Sequence, residues 1–96
     1  MGNDQIINQL IADGQLTDAI KMLTQFIEQE VKEDNTDELS RMYFTRGKLY
    51  WRMGQRSAAT TDYAHAAQLN PDSPAATALQ QAQDIAEFYN HDLYNP

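Results

Sequence analysis

The chain has 96 residues, a formal net charge of −7 and no cysteine. This length suits a single domain, and the missing cysteines exclude a disulfide framework, a thiolate nucleophile and a zinc site of the cysteine type. The acidic balance argues against nucleic acid or an anionic membrane as the main ligand, because both require a dominant basic surface.

The N-terminal segment predicts neither a secretory signal nor a lipid anchor. It lacks a basic start followed by a long apolar run, and Ile6 stands where a myristoylation signal requires Ser or Thr. No apolar stretch approaches the ~20 residues that span a bilayer. We therefore expect a cytoplasmic protein without a membrane segment.

Residues 1 to 33 contain two apolar stripes at helical spacing, separated by the turn signal Asp13-Gly14. These stripes predict a helical hairpin. The first stripe comprises Ile6, Ile7, Leu10 and Ile11, and the second comprises Leu16, Ala19, Ile20, Leu23, Phe26, Ile27 and Val31.

An acidic stretch follows the first hairpin. Asn35 can cap a helix with Glu38 three positions on, and Asp37 and Glu38 suit the positive N-terminal end of its dipole. We therefore expect long helices on either side of a polar loop, rather than a recognition element formed by the acids.

Residues 40 to 73 predict a second hairpin. Gly47 would let the two helices approach closely, Gly54 suits the position just past a helix C-terminus, and Pro71 closes the second helix. The series of small, aromatic and turn residues is Tyr43, Gly47, Tyr50, Gly54, Ala59, Tyr63, Ala66 and Pro71.

This series resembles one tetratricopeptide repeat, with Arg46 in place of the usual Leu. Aligned on Gly14 and Gly54, the first hairpin resembles a degenerate repeat. The resemblance implies an all-α fold of five helices: two helix–turn–helix repeats and a C-terminal capping helix, stacked as a fragment of a right-handed α-solenoid. It also implies a protein-binding function.

Ser73 and Pro74 predict the start of the capping helix, over residues 74 to 90, with residues 91 to 96 as a tail. One face of this helix is apolar. The opposite face is polar, as a cap requires, because no further helix covers it. The apolar positions are Ala75, Ala78, Leu79, Ala82, Ile85, Ala86 and Tyr89, and the polar ones are Thr77, Gln80, Gln81 and Asp84.

The sequence also predicts which side chains form the core and what surrounds the unusual residue Arg46. Arg46 could pair with Glu28 or Glu30 of the preceding helix, but we expect its stem to run along the hairpin edge and its charge to reach water. The side chains expected to be largely buried are Leu23, Phe26, Leu49, Tyr50 and Tyr63.

Five of the seven basic residues lie between positions 41 and 56. Some of them share an arc of the predicted helix with two aromatic residues, and the resemblance implies that this helix lines a concave groove for extended peptides. We predict that this arc binds an acidic segment. Its residues are Arg41, Phe44, Lys48, Trp51 and Arg52. Alternatively, Phe44 and Trp51 pack against the first helices of the neighbouring repeats, and the cations neutralise acids of the first repeat and the loop.

Tetratricopeptide domains that bind the C-terminal carboxylate of heat-shock chaperones offer a sharper comparison. Asn8 matches the Asn on the first helix of those domains. However, Asp4 occupies the Lys position, Thr45 replaces the next Asn, and Arg41 fits a basic position only of a third repeat. The residues therefore argue against this ligand.

Two hypotheses of other classes remain. An enzyme is disfavoured, because His65 and His91 are the only histidines and no phosphate loop or nucleophile motif accompanies them. We predict no catalytic residue, metal or cofactor. A homodimer through the C-terminal helix or the tail is the alternative to the peptide-binding module, because two repeats bury a small core.

Overall fold

The protein folds as five consecutive α-helices in a computed structural model that describes the backbone of residues 2–33 and 35–94 and the side chains of residues 5–33 and 35–85. No strand occurs in these ranges, so the predicted all-α class is confirmed. The helices are α1 (Gly2–Ala12), α2 (Leu16–Glu33), α3 (Thr36–Arg52), α4 (Arg56–Leu69) and α5 (Pro74–Tyr94).

Two glycines form the turns within the hairpins. Gly14, after α1, has a φ of 77°, and Gly54, after α3, has a φ of 79°. Both values lie in the left-handed region, where a side chain would be strained. The predicted turn positions are therefore confirmed.

Polar side chains mark the predicted starts of α3 and α5. The Asn35 side chain accepts a hydrogen bond from the Glu38 N–H at 3.5 Å, and the Ser73 hydroxyl accepts one from the Ala75 N–H at 3.3 Å. These contacts satisfy backbone donors that have no partner within the first turn of a helix. Only residues 34 and 35 separate α2 from α3, so both helices are long, as predicted.

Helices α3 and α4 pack as an antiparallel hairpin. Near the start of α3, the buried Ser40 hydroxyl donates to the Ala66 carbonyl at 2.8 Å. Further along α3, Gly47 lies against the Tyr63 ring, and a Cβ at this glycine would stand 2.8 Å from two ring carbons. This separation is shorter than ordinary van der Waals contact, so the predicted close approach at Gly47 is confirmed.

The apolar core has two parts. The larger lies among α1, α2 and α3, and the smaller joins α3, α4 and α5 around Ala59, Tyr63 and Ala82. The buried residues of the larger part are Ile7, Ala19, Ile20, Leu23, Ile27, Leu39, Met42 and Leu49.

Three of the five predicted core residues, Leu23, Leu49 and Tyr63, are buried as expected. Phe26 and Tyr50 are only partly buried. Phe26 lines a small cavity between helices, and the Tyr50 ring lies 5.7 Å from the Arg46 guanidinium carbon. Each ring therefore has one side against the core and another against a cavity or a charged group.

The expectation for Arg46 is wrong. Its Nε and Nη2 atoms donate to the two carboxylate oxygens of Asp62 on α4, each at 2.8 Å, and its Nη1 donates to the Thr24 hydroxyl on α2 at 3.0 Å. The hydrogen bond with Asp62 raises the pKa of Arg46, against the opposing effect of burial. The guanidinium thus connects three helices instead of reaching water along the hairpin edge.

Helix α5 covers the second hairpin. Ala75 and Ala82 are buried, whereas the four predicted polar positions are all exposed. The helix continues to Tyr94, past the predicted end at residue 90, because no Gly or Pro interrupts it before Pro96. Residues 91–94, predicted as a tail, are therefore helical. The side chains of residues 86–96, including Ala86 and Tyr89 of the predicted apolar face, lie outside the described residues.

Candidate functional site

The five residues of the predicted binding arc lie along α3. Arg41, Lys48 and Arg52 are exposed, whereas Phe44 and Trp51 are partly buried. Residues 41 and 52 are separated by about 16 Å along the helix axis at 1.5 Å per residue. The predicted site is therefore a strip of surface about three helical turns long.

In the middle of this strip, Lys48 and Phe44 are in contact. The Lys48 Nζ lies 4.8 Å from the centroid of the Phe44 ring, a distance at which an ammonium is attracted to an aromatic face. Phe44 also packs against Tyr63 on α4, with ring centroids 5.8 Å apart. Phe44 thus contributes to the core through the second helix of its own hairpin, whereas the packing alternative expects a contact with the first helix of a neighbouring repeat.

At the start of the strip, Arg41 forms an ion pair with Glu38 at 3.1 Å. It also lines a cavity of about 140 Å³ formed by α1, α2 and α3. Asn8 and Thr45 line the same cavity. Three of the four positions compared above with a carboxylate clamp, Asn8, Arg41 and Thr45, are therefore neighbours, and the side chain of the fourth, Asp4, lies outside the described residues. The Glu38 carboxylate lines the same cavity and opposes a second anion.

At the far end of the strip, Trp51 lies where α3, α4 and α5 meet. It lines a cavity of about 540 Å³ formed mainly by α4 and α5, and another of about 280 Å³ beside Tyr63 and Ala78. The Arg56 guanidinium carbon lies 4.8 Å from the centroid of the Trp51 ring. Arg56 was not among the predicted site residues, although it belongs to the same basic cluster in the sequence.

The strip does not form one pocket. None of the three cavities with described walls contains more than one of the five predicted residues. Lys48 and Arg52 form no ion pair with any residue whose side chain is described. The arrangement therefore suits electrostatic attraction of an extended chain better than enclosure of a small molecule.

The exposed His65 stacks on Tyr43, with ring centroids 4.9 Å apart.

Among the described residues, no group of three His, Cys, Asp or Glu side chains could hold a metal ion. Within the same part of the chain, no helix has both the length and the hydropathy needed to cross a membrane.

No protein-family model matches the chain, and no curated protein matches it. Among solved structures, the chain is similar to the solution NMR structure of Bacteroides fragilis protein BF1650. The two chains share 33% sequence identity and superpose with a TM-score of 0.75, over 95% of this chain and 87% of the other. At this identity and coverage, the chain belongs to the same family as BF1650.

Proposed function

We propose that this protein is a non-catalytic interaction module that binds an extended, acidic segment of another protein along α3. One observation carries the proposal: Lys48 and Arg52 are exposed without a carboxylate partner among the described side chains, in a chain of net charge −7. Phe44 and Trp51 on the same strip offer partly exposed aromatic surface. An acidic chain with an apolar anchor complements both features.

The resemblance to tetratricopeptide repeats supports this proposal. Two hairpins with turn glycines, the close contact at Gly47 and the cap formed by α5 are the features that such repeats require. In this interpretation the helices stack as a right-handed solenoid fragment, and α1, α3 and α5 line its concave side. We also infer a cytoplasmic location, which the absence of cysteine supports.

The energetics indicate moderate affinity. An exposed ion pair contributes ~0–1 kcal/mol, whereas micromolar binding requires about 8 kcal/mol. Cations therefore orient and attract the segment, and burial of aromatic surface supplies most of the binding free energy.

A titration followed by NMR tests the proposal. The probe is an acidic peptide of about 12 residues, long enough to follow α3 when extended, selected from a random display library on the intact chain. We expect amide shifts at Arg41, Lys48 and Arg52. The matched control peptide has Gln and Asn in place of Glu and Asp, and it should bind at least about tenfold more weakly. Shifts confined to α2 and α4, with residues 41–52 silent, would contradict the proposal.

A homodimerising structural protein is the second candidate. It is favoured by the length of α5, which has 21 residues against 14 in α4. At 1.5 Å per residue, α5 extends about 10 Å further than its neighbour, so its C-terminal end is not covered by α4. Sedimentation at low and high concentration distinguishes the two candidates, since a monomer mass at all concentrations excludes the dimer.

A further inference from the structure

The groove between α4 and α5 is the largest of the three cavities described above, with a volume of about 540 Å³. It is distinct from the exposed cations of α3, and Trp51 is the one residue that the two surfaces share. Its walls are mostly apolar or uncharged, and its two long sides are helices. Neither the binding strip nor the core accounts for it.

The shape of the groove fits an α-helix. On α4 its lining includes one helical row, Ser57, Thr61, Ala64 and Gln68, at spacings of four, three and four residues, with Arg56, Thr60 and His65 beside it. This row extends for about 16 Å, the length of three helical turns. Three of its four side chains are small, and His65 beside the row is stacked on Tyr43. A third helix could therefore pack along this row, between the ridges of the two walls.

The chemistry of the groove specifies the polarity of its occupant. Leu79 and Ile85 on α5 offer apolar contact. At one end, Arg56 lies against the face of Trp51 and forms no ion pair with any described side chain. No residue that lines the groove has a carboxylate. A stacked guanidinium keeps the N–H groups at its edge available for a carboxylate, so the complementary ligand is apolar with an acid at that end.

A second copy of this chain does not supply such a ligand from its described residues. Among residues 5–33 and 35–85, the exposed large hydrophobic residues are Ile6 on α1, Val31 on α2 and Met53 just after α3. These three do not form a ridge along any one helix. The described residues therefore favour a helix of another protein as the occupant.

We propose that the α4–α5 groove binds an amphipathic α-helix of a partner protein, about three turns long, with a Glu or Asp at the end that faces Arg56. This site shares Trp51 with the acidic-segment site on α3 and otherwise consists of residues on α4 and α5. The protein would then have two binding surfaces, one for extended chain and one for helix.

The test uses two display libraries of peptides of about 14 residues, screened against the intact chain. One library fixes Leu or Ile at positions i, i+3, i+4 and i+7, and the matched library fixes the same residues at alternate positions. Only the helical pattern should yield binders that Thr61→Arg weakens, because extended binders from the other library would occupy the strip on α3. Trp51 is the only tryptophan, so binding in the groove should change the intrinsic fluorescence of the protein.

Variants locate the binders. Thr61→Arg, which fills the groove from an exposed position, should weaken binding at least about tenfold. Thr77→Arg, on the exposed face of α5 outside the groove, is the control and should not change it. Arg56→Gln should weaken binding of peptides that carry the terminal acid, and should not affect the same peptides with Gln in its place.

Four results would overturn the proposal. They are equal enrichment from both libraries of binders that Thr61→Arg weakens, no binders from the helical library, helical-library binders that tolerate Thr61→Arg, and self-association of the chain that Thr61→Arg abolishes. Circular dichroism establishes that each variant keeps the helical content of the parent chain. NMR shifts at residues 57–68, with Lys48 and Arg52 silent, distinguish this site from the strip on α3.

Discussion

Arg46 and Asp62 form a bidentate ion pair inside the α3–α4 hairpin, with both N–O distances at 2.8 Å. The two side chains are 16% and 3% exposed, respectively. Arg46 stands at a Leu position of the tetratricopeptide pattern that this hairpin resembles, and here a charged network connects α3 and α4. Thr24 on α2 accepts a further hydrogen bond from the same guanidinium.

Because Arg46 and Asp62 are buried to different extents, we expect their two single variants to lose different amounts of unfolding free energy. Arg46→Leu leaves the more buried Asp62 carboxylate without its cation and should cost about 3–5 kcal/mol of unfolding free energy. Asp62→Ala should cost less, about 1–3 kcal/mol, because the long Arg46 stem can turn towards water. The double variant Arg46→Leu/Asp62→Ala should be more stable than Arg46→Leu. Urea denaturation measures all three, and additive costs would contradict the coupling.

Gly47 is the second test of this interface. A Cβ there would lie 2.8 Å from Tyr63 ring carbons and 3.2 Å from the Asp62 Cβ. Gly47→Leu should therefore cost about 1–3 kcal/mol through overpacking, although leucine favours a helix more than glycine does. Gln80→Leu on the exposed face of α5 is the control, and should change stability by less than about 0.5 kcal/mol. A Gly47→Leu variant as stable as its parent would contradict the close approach.

The hydroxyl group of Tyr63 should make the folded protein less stable at high pH. Burial, and secondarily the charge of Asp62, raise the pKa of Tyr63 above its ordinary value of 10.0. The folded state therefore keeps the phenolic proton at a pH where the unfolded chain has lost it. The contribution of Tyr63 to the free energy of unfolding is therefore present in full below about pH 10. It falls as the pH rises through the pKa of the folded state.

The variant Tyr63→Phe isolates this effect, because it keeps the ring that packs against Gly47 and Phe44. Its unfolding free energy should decline less steeply above pH 10 than that of the parent chain, as measured by urea denaturation at several pH values. Parallel declines in the two proteins would show that Tyr63 does not contribute to the pH dependence.

Structural roles that depend only on residues close in the sequence could be predicted. Gly14 and Gly54 terminate helices because of their own backbone freedom, and Asn35 and Ser73 cap helices whose N–H groups lie within three positions. Gly47 was predictable because a glycine on an apolar helical face leaves space that a neighbouring helix can fill.

Contacts between distant elements were not predictable in the same way. Sequence periodicity offered Glu28 and Glu30 as partners for Arg46, but it contained no measure of how close Asp62 lies across the hairpin. The angle of Trp51 on α3 predicts its place on the binding strip. Trp51 also lines the α4–α5 groove because α5 packs nearby. The pattern of residues within α3 contains no information about where α5 packs.

The last prediction concerns the charge of the proposed binding strip. Reversing Lys48 and Arg52 to Glu changes the net charge by four units and places two acids beside the path of an acidic segment. The control reverses Lys21 and Lys32, the exposed cations of α2, which gives the same net charge away from the strip. With the selected acidic peptide as probe, the first double variant should associate more slowly than the control and lose most of the salt dependence of association. The rate of dissociation should change less, since exposed charges chiefly affect encounter. Stopped-flow fluorescence at several salt concentrations measures both rates. If the two double variants slow association equally, then net charge, and not the strip on α3, attracts the segment.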